Sequence, residues 1–234
     1  MSPLETAWQG TQDRIARAAR AVSREPSTVR LLAVSKAFPA DAVRAVYALG
    51  QRAFGENYAR EAREKRDALG DLADLEWHLI GPLQGNKARL AAETFDWIAS
   101  VDRLKIAERL AAARPAGRPP LDVLVQVNVS GEVTKSGVSP PQAVGLAQAV
   151  AALPRLRLRG IMGIPAPDDD SGRQRAAFAA LRACFDACRA AGLAIDTLSM
   201  GMSADLEAAI AEGSTQVRVG TAIFGPRGTP AADA

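Results

Sequence analysis

Short apolar runs and amphipathic stretches take turns along these 234 residues with almost no break. Leu4 to Val22 sets Trp8, Ile15, Ala18, Ala19 and Val22 at helical spacing, and Ser23 to Thr28, with Pro26, closes that helix. Leu31 to Val34 is a continuous apolar run that suits a strand buried on both faces. A repeating unit follows: helix Ala40 to Leu49 closed by Gly50, strand Arg52 to Gly55, helix Ala59 to Leu69, strand Glu76 to Ile80, helix Asn86 to Glu93, strand Trp97 to Ser100. The same alternation continues through helix Leu104 to Ala113, strand Leu121 to Val127, helix Pro141 to Ala152, strand Leu156 to Met162 and helix Arg173 to Ala191. Strand Ile195 to Ser199, helix Ala204 to Glu212 and strand Gln216 to Val219 complete it.

Strand and crossover helix in strict succession predict parallel strands with helices outside, and eight such units can close into an α/β single-domain (β/α)8 TIM barrel with an extra N-terminal helix. A doubly wound open sheet has the same periodicity, so closure is the one point this pattern leaves open. The loops Arg114 to Pro120 and Pro165 to Gly172 are rich in Pro, Gly and Asp but short enough to lie within one domain, so 1–234 is read as a single domain with its core at about 28–226. The last residues, Arg227 to Ala234, read as a frayed tail.

Composition narrows the function. Hydrophobic residues at 48% and charged residues at 24% supply an ordinary core, while a net charge of only +3 and arginines spread among alanines argue against a nucleic-acid partner. Two cysteines, Cys184 and Cys188, sit four apart in a helical stretch and support neither a disulfide framework nor a zinc site. With a single histidine, His78, no metal is expected. No stretch approaches 18 consecutive apolar residues and Met1 to Arg20 has no signal-type core, so a soluble cytoplasmic protein is expected.

The chemistry concentrates where strands end. Lys36 falls just past the first strand, at the end where parallel sheets bind ligands, and a partly buried amine there can lose its proton and form a Schiff base with an aldehyde. A lysine that merely snorkels to the rim is the bland alternative. Two glycine loops, Ser199-Met200-Gly201-Met202-Ser203 and Arg218-Val219-Gly220-Thr221, follow the seventh and eighth strands, a recurrent phosphate position in barrels. Together they suggest a ligand with an aldehyde at one end and a phosphate at the other. His78, in a strand beside Trp77, reads as a satisfied barrel histidine, and Asp168-Asp169-Asp170 as negative charge before a helix start. Lys87 and Lys135 are candidates for a basic rim that could receive or release an anionic ligand, with solvated surface lysines as the simpler reading.

Ala33-Val34-Ser35-Lys36, Phe54-Gly55-Glu56-Asn57-Tyr58, Trp77-His78-Leu79-Ile80-Gly81 with Leu83-Gln84-Gly85-Asn86-Lys87, Ser199 to Asp205, and Val217 to Thr221 occur in the order of the signatures of the pyridoxal phosphate homeostasis protein family, also called YggS/PROSC, which this chain closely resembles. The resemblance implies a barrel like the N-terminal domain of alanine racemase, with pyridoxal 5′-phosphate joined to Lys36. By motif position, Ser203, Gly220 and Thr221 would hold the phosphate with help from the backbone of Gly201 and Met202, Arg218 would face the pyridine nitrogen, and Asn57 would lie beside the ring. Gly85 and Gly163 depart from common family forms and are expected to bear only on the pocket wall.

The same resemblance implies a protein that buffers or delivers the cofactor, with pyridoxal-phosphate-dependent apo-enzymes as partners and no catalytic residue assigned, and without the extra racemase domain a monomer is expected. A permanently cationic Arg218 would leave the ring nitrogen an acceptor, which weakens carbanion stabilisation. Alanine racemase takes its second base, a tyrosine, from a further domain, and none is expected here; Tyr47 and Tyr58 read as packing residues. An amino-acid racemase, or a barrel enzyme acting on another phosphate, remains the rival.

Overall fold

The computed structural model describes residues 2–132, 135–166, 168 and 170–226; the expected tail Arg227 to Ala234 and Asp169 of the acidic loop lie outside the described residues. Eight parallel strands close into a barrel in sequence order: β1 (Arg30–Val34), β2 (Ala53–Glu56), β3 (Glu76–Leu79), β4 (Trp97–Val101), β5 (Leu121–Val127), β6 (Leu156–Gly163), β7 (Thr197–Met202) and β8 (Gln216–Val219). Closure is made by β8 against β1, with Arg30 opposite Gln216 and Ala33 opposite Val219. The question the periodicity left open is settled for the barrel.

The helices are α1 (Pro3–Ala21), α2 (Ala40–Ala48), α3 (Ala59–Ala68), α4 (Ala88–Thr94), α5 (Leu104–Ala113), α6 (Ala143–Ala151), α7 (Ser171–Ala190), α8 (Leu206–Ala211) and a single turn, α9 (Thr221–Phe224). α1 begins in a capping box: Ser2 Oγ accepts from the Glu5 N–H, and the Glu5 carboxylate accepts from the Ser2 N–H, an arrangement worth about 1 kcal/mol. Its stripe of Thr11, Ile15, Ala18 and Ala19 is buried, and the helix lies along α8 and α9. Gly50, at φ +103°, ends α2 where the sequence places the stop.

Along each strand the side chains alternate between two cores. Ile98, Val123, Val125 and Ile161 face the helices in the main core, whereas Trp97, Ala99, Leu124 and Met162, with Ile80 beside them, form a separate cluster inside the barrel. His78 stacks on Trp97 with ring centroids 5.0 Å apart, and Nε2 meets the Glu76 carboxylate, but Nδ1 has no partner. Among the described residues the histidine is therefore half satisfied, and burial holds its pKa below the ordinary value.

Several element boundaries differ from the sequence reading, and two of them shape the site. β7 runs Thr197–Met202 rather than ending at Ser199, because the register shifts between Ser199 and Met202 and carries pairing on to Arg218 of β8. Helix α8 starts at Leu206 with Asp205 as its cap residue, not at Ala204, and the Asp205 carboxylate accepts the Met202 N–H at 2.6 Å. Among the described residues no helix is long and apolar enough to cross a membrane, and no group of three His, Cys, Asp or Glu could hold a metal ion.

Candidate functional site

At the carboxyl ends of the strands lies a cavity of about 390 Å³ lined by Lys36, Asn57, Met202, Ser203, Arg218, Gly220 and Thr221, with Val34, Ile80, Gly81, Pro82, Ile164 and Ala204. Every residue expected from the sequence to bind the cofactor is on that wall except Gly201. Gly201 lies behind it, at φ +93°, where a Cβ would come within 2.5 Å of the Ala209 side chain. Glycine there lets β7 run close against α8. Gly220 is likewise tight, with an added Cβ 3.1 Å from the Val34 carbonyl, and Gly81 leaves only 2.5 Å to the Asn57 carbonyl. These three glycines hold the backbone closely packed around the cavity mouth.

Lys36 is half-buried and follows β1 directly. Ala37 next to it takes φ +64°, a left-handed conformation that costs an L-residue about 1 kcal/mol and that the structure must hold in place. Ser203, Gly220 and Thr221 stand on the loops that end β7 and begin α9. The first-turn N–H groups of a helix lack intrahelical acceptors, and two hydroxyls flank them, a donor set that suits an anion.

Arg218 is 4% exposed, and among the described residues its hydrogen-bond acceptors are carbonyls and a hydroxyl. Nη1 donates to the Ser199 carbonyl at 2.8 Å and to Ser199 Oγ at 2.9 Å, and Nη2 donates to the Gly163 carbonyl at 2.9 Å. Burial pushes its pKa down to about 10, with Asp205 pulling the other way, so the guanidinium stays charged at neutral pH. Among the described residues, three of its five N–H groups are used on the wall. Gly163, expected to matter only for the pocket wall, thus holds Arg218 directly; a side chain there would meet Leu181 at 2.3 Å.

The donor set can be asked whether it fits the cofactor that the sequence resemblance names. The lining brings together an amine, hydroxyls, backbone donors and a donor-only guanidinium. A phosphorylated aldehyde with a ring nitrogen matches each of these in sign and type. A larger cleft of about 450 Å³ beside α3 offers less: its Arg63, Arg66 and Glu93 are already bonded to Thr94, Asp96 and one another.

The sequence reading missed the contacts that brace this site. Arg14 of α1 donates to the Ser203 carbonyl at 2.7 Å and pairs with Glu207, so the N-terminal helix steadies the phosphate-type loop. Behind Lys36, Ser35 Oγ donates to Glu56 at 2.6 Å, and Lys65 donates to Glu56, Glu61 and the Ser35 carbonyl at 2.7 to 2.8 Å. Burial pushes the Glu56 carboxyl up to about 7, with Lys65 and Ser35 opposing it. One signal was available: Lys65 occupies the apolar stripe Ala59, Ala62, Leu69 of its helix, where a charge demands partners. Other residues stand apart from the cavity. Tyr58 is 67% exposed, Tyr47 donates to Asp74, Lys135 pairs with Glu132, and Asp168 and Asp170 pair with Arg173 at the start of α7.

Comparison with known proteins places these features. The alanine racemase N-terminal domain family matches residues 11–228. The pyridoxal phosphate homeostasis protein of Pseudomonas aeruginosa is 58% identical over 220 residues, 93% of this chain and 94% of that protein. The protein of the same name from Escherichia coli K12 is 52% identical over 218 residues, covering 92% and 93%. The solved structure of PipY from Synechococcus elongatus PCC7942 with PLP bound superimposes with a TM-score of 0.78 at 42% identity, covering 90% of this chain and 100% of that one.

Proposed function

We propose, starting from the fact that this chain belongs to the alanine racemase N-terminal domain family and within it to the pyridoxal phosphate homeostasis proteins, that it binds pyridoxal 5′-phosphate between Lys36 and the Ser203, Gly220 and Thr221 loops and buffers or delivers it. The observation that carries this is the convergence, in one cavity, of an amine from the end of β1, a buried guanidinium from β8 and the two glycine-backed loops. When bound, the cofactor supplies an aldehyde open to attack by an amine and a ring that draws electrons most strongly when its nitrogen is protonated. Lys36 is assigned the covalent link, a Schiff base whose formation releases one water. Ser203, Thr221 and the backbone at Gly220 take the phosphate, Gly201 and Met202 shape that loop, and Asn57 flanks the ring.

The chain's own residues favour holding over turnover. Arg218 can only donate, so it keeps the ring nitrogen unprotonated, and the reading makes this protein a carrier. Among the described residues, the cavity lining holds no titratable side chain besides Lys36 and Arg218, which leaves a substrate without a second acid–base group. Apo-enzymes that use the same cofactor are the recipients in this reading, and the carrier acts as a cytoplasmic monomer whose binding unit is the barrel of about 28–226.

Borohydride reduction followed by peptide mapping tests the assignment. The expected result is a visible absorption band on mixing, a single modified residue at Lys36, and loss of both in Lys36→Ala without a change in melting temperature. Modification elsewhere overturns the site. Interconversion of D- and L-amino acids that disappears in Lys36→Ala overturns the carrier reading in favour of a racemase.

A further inference from the structure

The two peptide groups on either side of Lys36 are each gripped by a charged side chain of α3. The carbonyl of Ser35 accepts from Lys65 Nζ at 2.8 Å, and the N–H of Ala37 donates to Glu61 Oε1 at 2.7 Å. Lys65 and Glu61 are one turn apart and bonded to each other at 2.7 Å. Lys65 is further bonded to Glu56 at 2.8 Å, which accepts the Ser35 hydroxyl. None of these three charged residues lines the cavity; they reach Lys36 from behind the barrel wall.

Burying such a group is costly. Lys65 is 6% exposed and Glu56 fully buried, and a well-packed apolar pair would commonly be as stable or more so. What the apolar pair could not do is hold a carbonyl and an N–H at set positions. The need for that hold is visible at Ala37, whose φ of +64° is imposed by no side chain of its own. The Phe38 N–H closes the same turn on the Ser35 carbonyl at 3.1 Å, so the carbonyl is fixed from two sides.

We infer that Glu61, Lys65 and Glu56 are positioning residues for Lys36: by clamping the peptide planes before and after it, they set the direction in which its side chain leaves the backbone and enters the cavity. The inference rests on the assignment of Lys36 as the amine that meets the cofactor aldehyde. Its effect falls on the covalent step and not on capture of the phosphate, which is built from β7, β8 and α9.

Two measurements separate the clamp from simple support of the fold. In the protein without cofactor, hydrogen exchange at the Ala37 amide is slow in the wild type, fast in Glu61→Ala, and slow again in Glu61→Gln, whose amide oxygen still accepts. On mixing with cofactor, Glu61→Ala slows formation of the borohydride-trappable link by roughly 10- to 100-fold, the loss expected when a reacting group is misaligned by a fraction of an ångström to one ångström. Its affinity for pyridoxine 5′-phosphate, which has the ring and phosphate but no aldehyde, stays unchanged, and Glu61→Gln restores the rate.

Unaltered Ala37 exchange and an unaltered rate in Glu61→Ala overturn the clamp. Equal losses for both ligands, with no rescue by Glu61→Gln, reduce these residues to structural support and overturn it as well. Should Lys65→Met fail to fold because Glu56 is left buried and unpaired, the double variant Glu56→Gln/Lys65→Met removes both charges, and the same loss of rate is expected. A wild-type protein that binds pyridoxine 5′-phosphate but forms no link at Lys36 overturns the underlying assignment, while Ala37 exchange still reports on the clamp itself.

Discussion

The two ends of the barrel treat charge in opposite ways. At the amino ends of the strands, cations and carboxylates answer one another: Arg30 pairs with Glu76 at 2.9 Å, Asp122 takes Arg157 and Arg159, and Arg159 reaches on to Asp196 while lying 4.8 Å over the Trp97 ring. At the carboxyl ends, Arg218 is buried among carbonyls, Ala37 sits in a left-handed conformation, and glycines replace side chains. The first end spends its charges on holding the barrel together. The second sets a buried guanidinium, on which Asp205 acts electrostatically, in the wall of a cavity. Stability and binding have thus been placed at opposite ends of one set of strands, which lets loops at the binding end vary without unpicking the closure.

That division can be broken most strongly from below. Glu76→Ala strips a partner from both Arg30 and His78 and is expected to lower unfolding free energy by about 2–3 kcal/mol, since the pair is only partly exposed to water, while cofactor affinity stays the same. Acid reports on the same group. Burial raises the Glu76 pKa, but His78 and Arg30 outweigh it and bring it down to about 2. The stability this carboxylate contributes is therefore complete above its ordinary pKa of 4.5 and is lost as pH falls toward 2, which urea titrations at a series of pH values would show as a slope absent in Glu76→Ala.

From above, Arg218→Met should cut affinity for pyridoxine 5′-phosphate by about tenfold, the value of one or two charge-assisted hydrogen bonds, measurable by calorimetry. If instead the larger loss is in cofactor binding for Glu76→Ala, the separation of the two ends fails. Glu56 sharpens the contrast through pH with the opposite sign from Glu76. Its folded pKa of about 7 lies above the ordinary 4.5, so the native state keeps the proton longer and stability declines as pH rises across that window. Glu56→Gln should flatten this decline by about 1–2 kcal/mol between pH 5 and 8, read from the same urea series. The smallest effect is expected at Ala37→Gly, which relieves the left-handed backbone and should raise stability of the cofactor-free protein by about 0.5 kcal/mol.

Much of this architecture is legible in the chain. The alternation of apolar runs and helical stripes finds all eight strands, and Lys36, Ser203, Arg218 and Thr221 stand out because strand ends are where parallel barrels bind. The end of β7 is not legible, since Gly201 looks like a loop residue and only the shifted pairing with Arg218 keeps it in the strand. Helix α9 is too short to leave a period. Glu61 reads as one more charge on a solvated helix, and nothing local says that its carboxylate holds the Ala37 N–H, 24 residues away. Gly163 reads as a minor departure in a wall until its carbonyl is found holding Arg218.

What the sequence determined by itself was periodicity and inventory: which segments are strands, which face of each is apolar, and that one amine and two glycine loops fall at strand ends. These are local properties, set by the two-residue and 3.6-residue repeats of the backbone. Tertiary structure alone decided that the sheet closes, that Arg218 is anchored by the carbonyls of two neighbouring strands, and that an ion network behind the wall grips the backbone around Lys36. Those depend on which groups meet across long chain separations, and a buried charge takes its meaning from whatever the fold sets beside it.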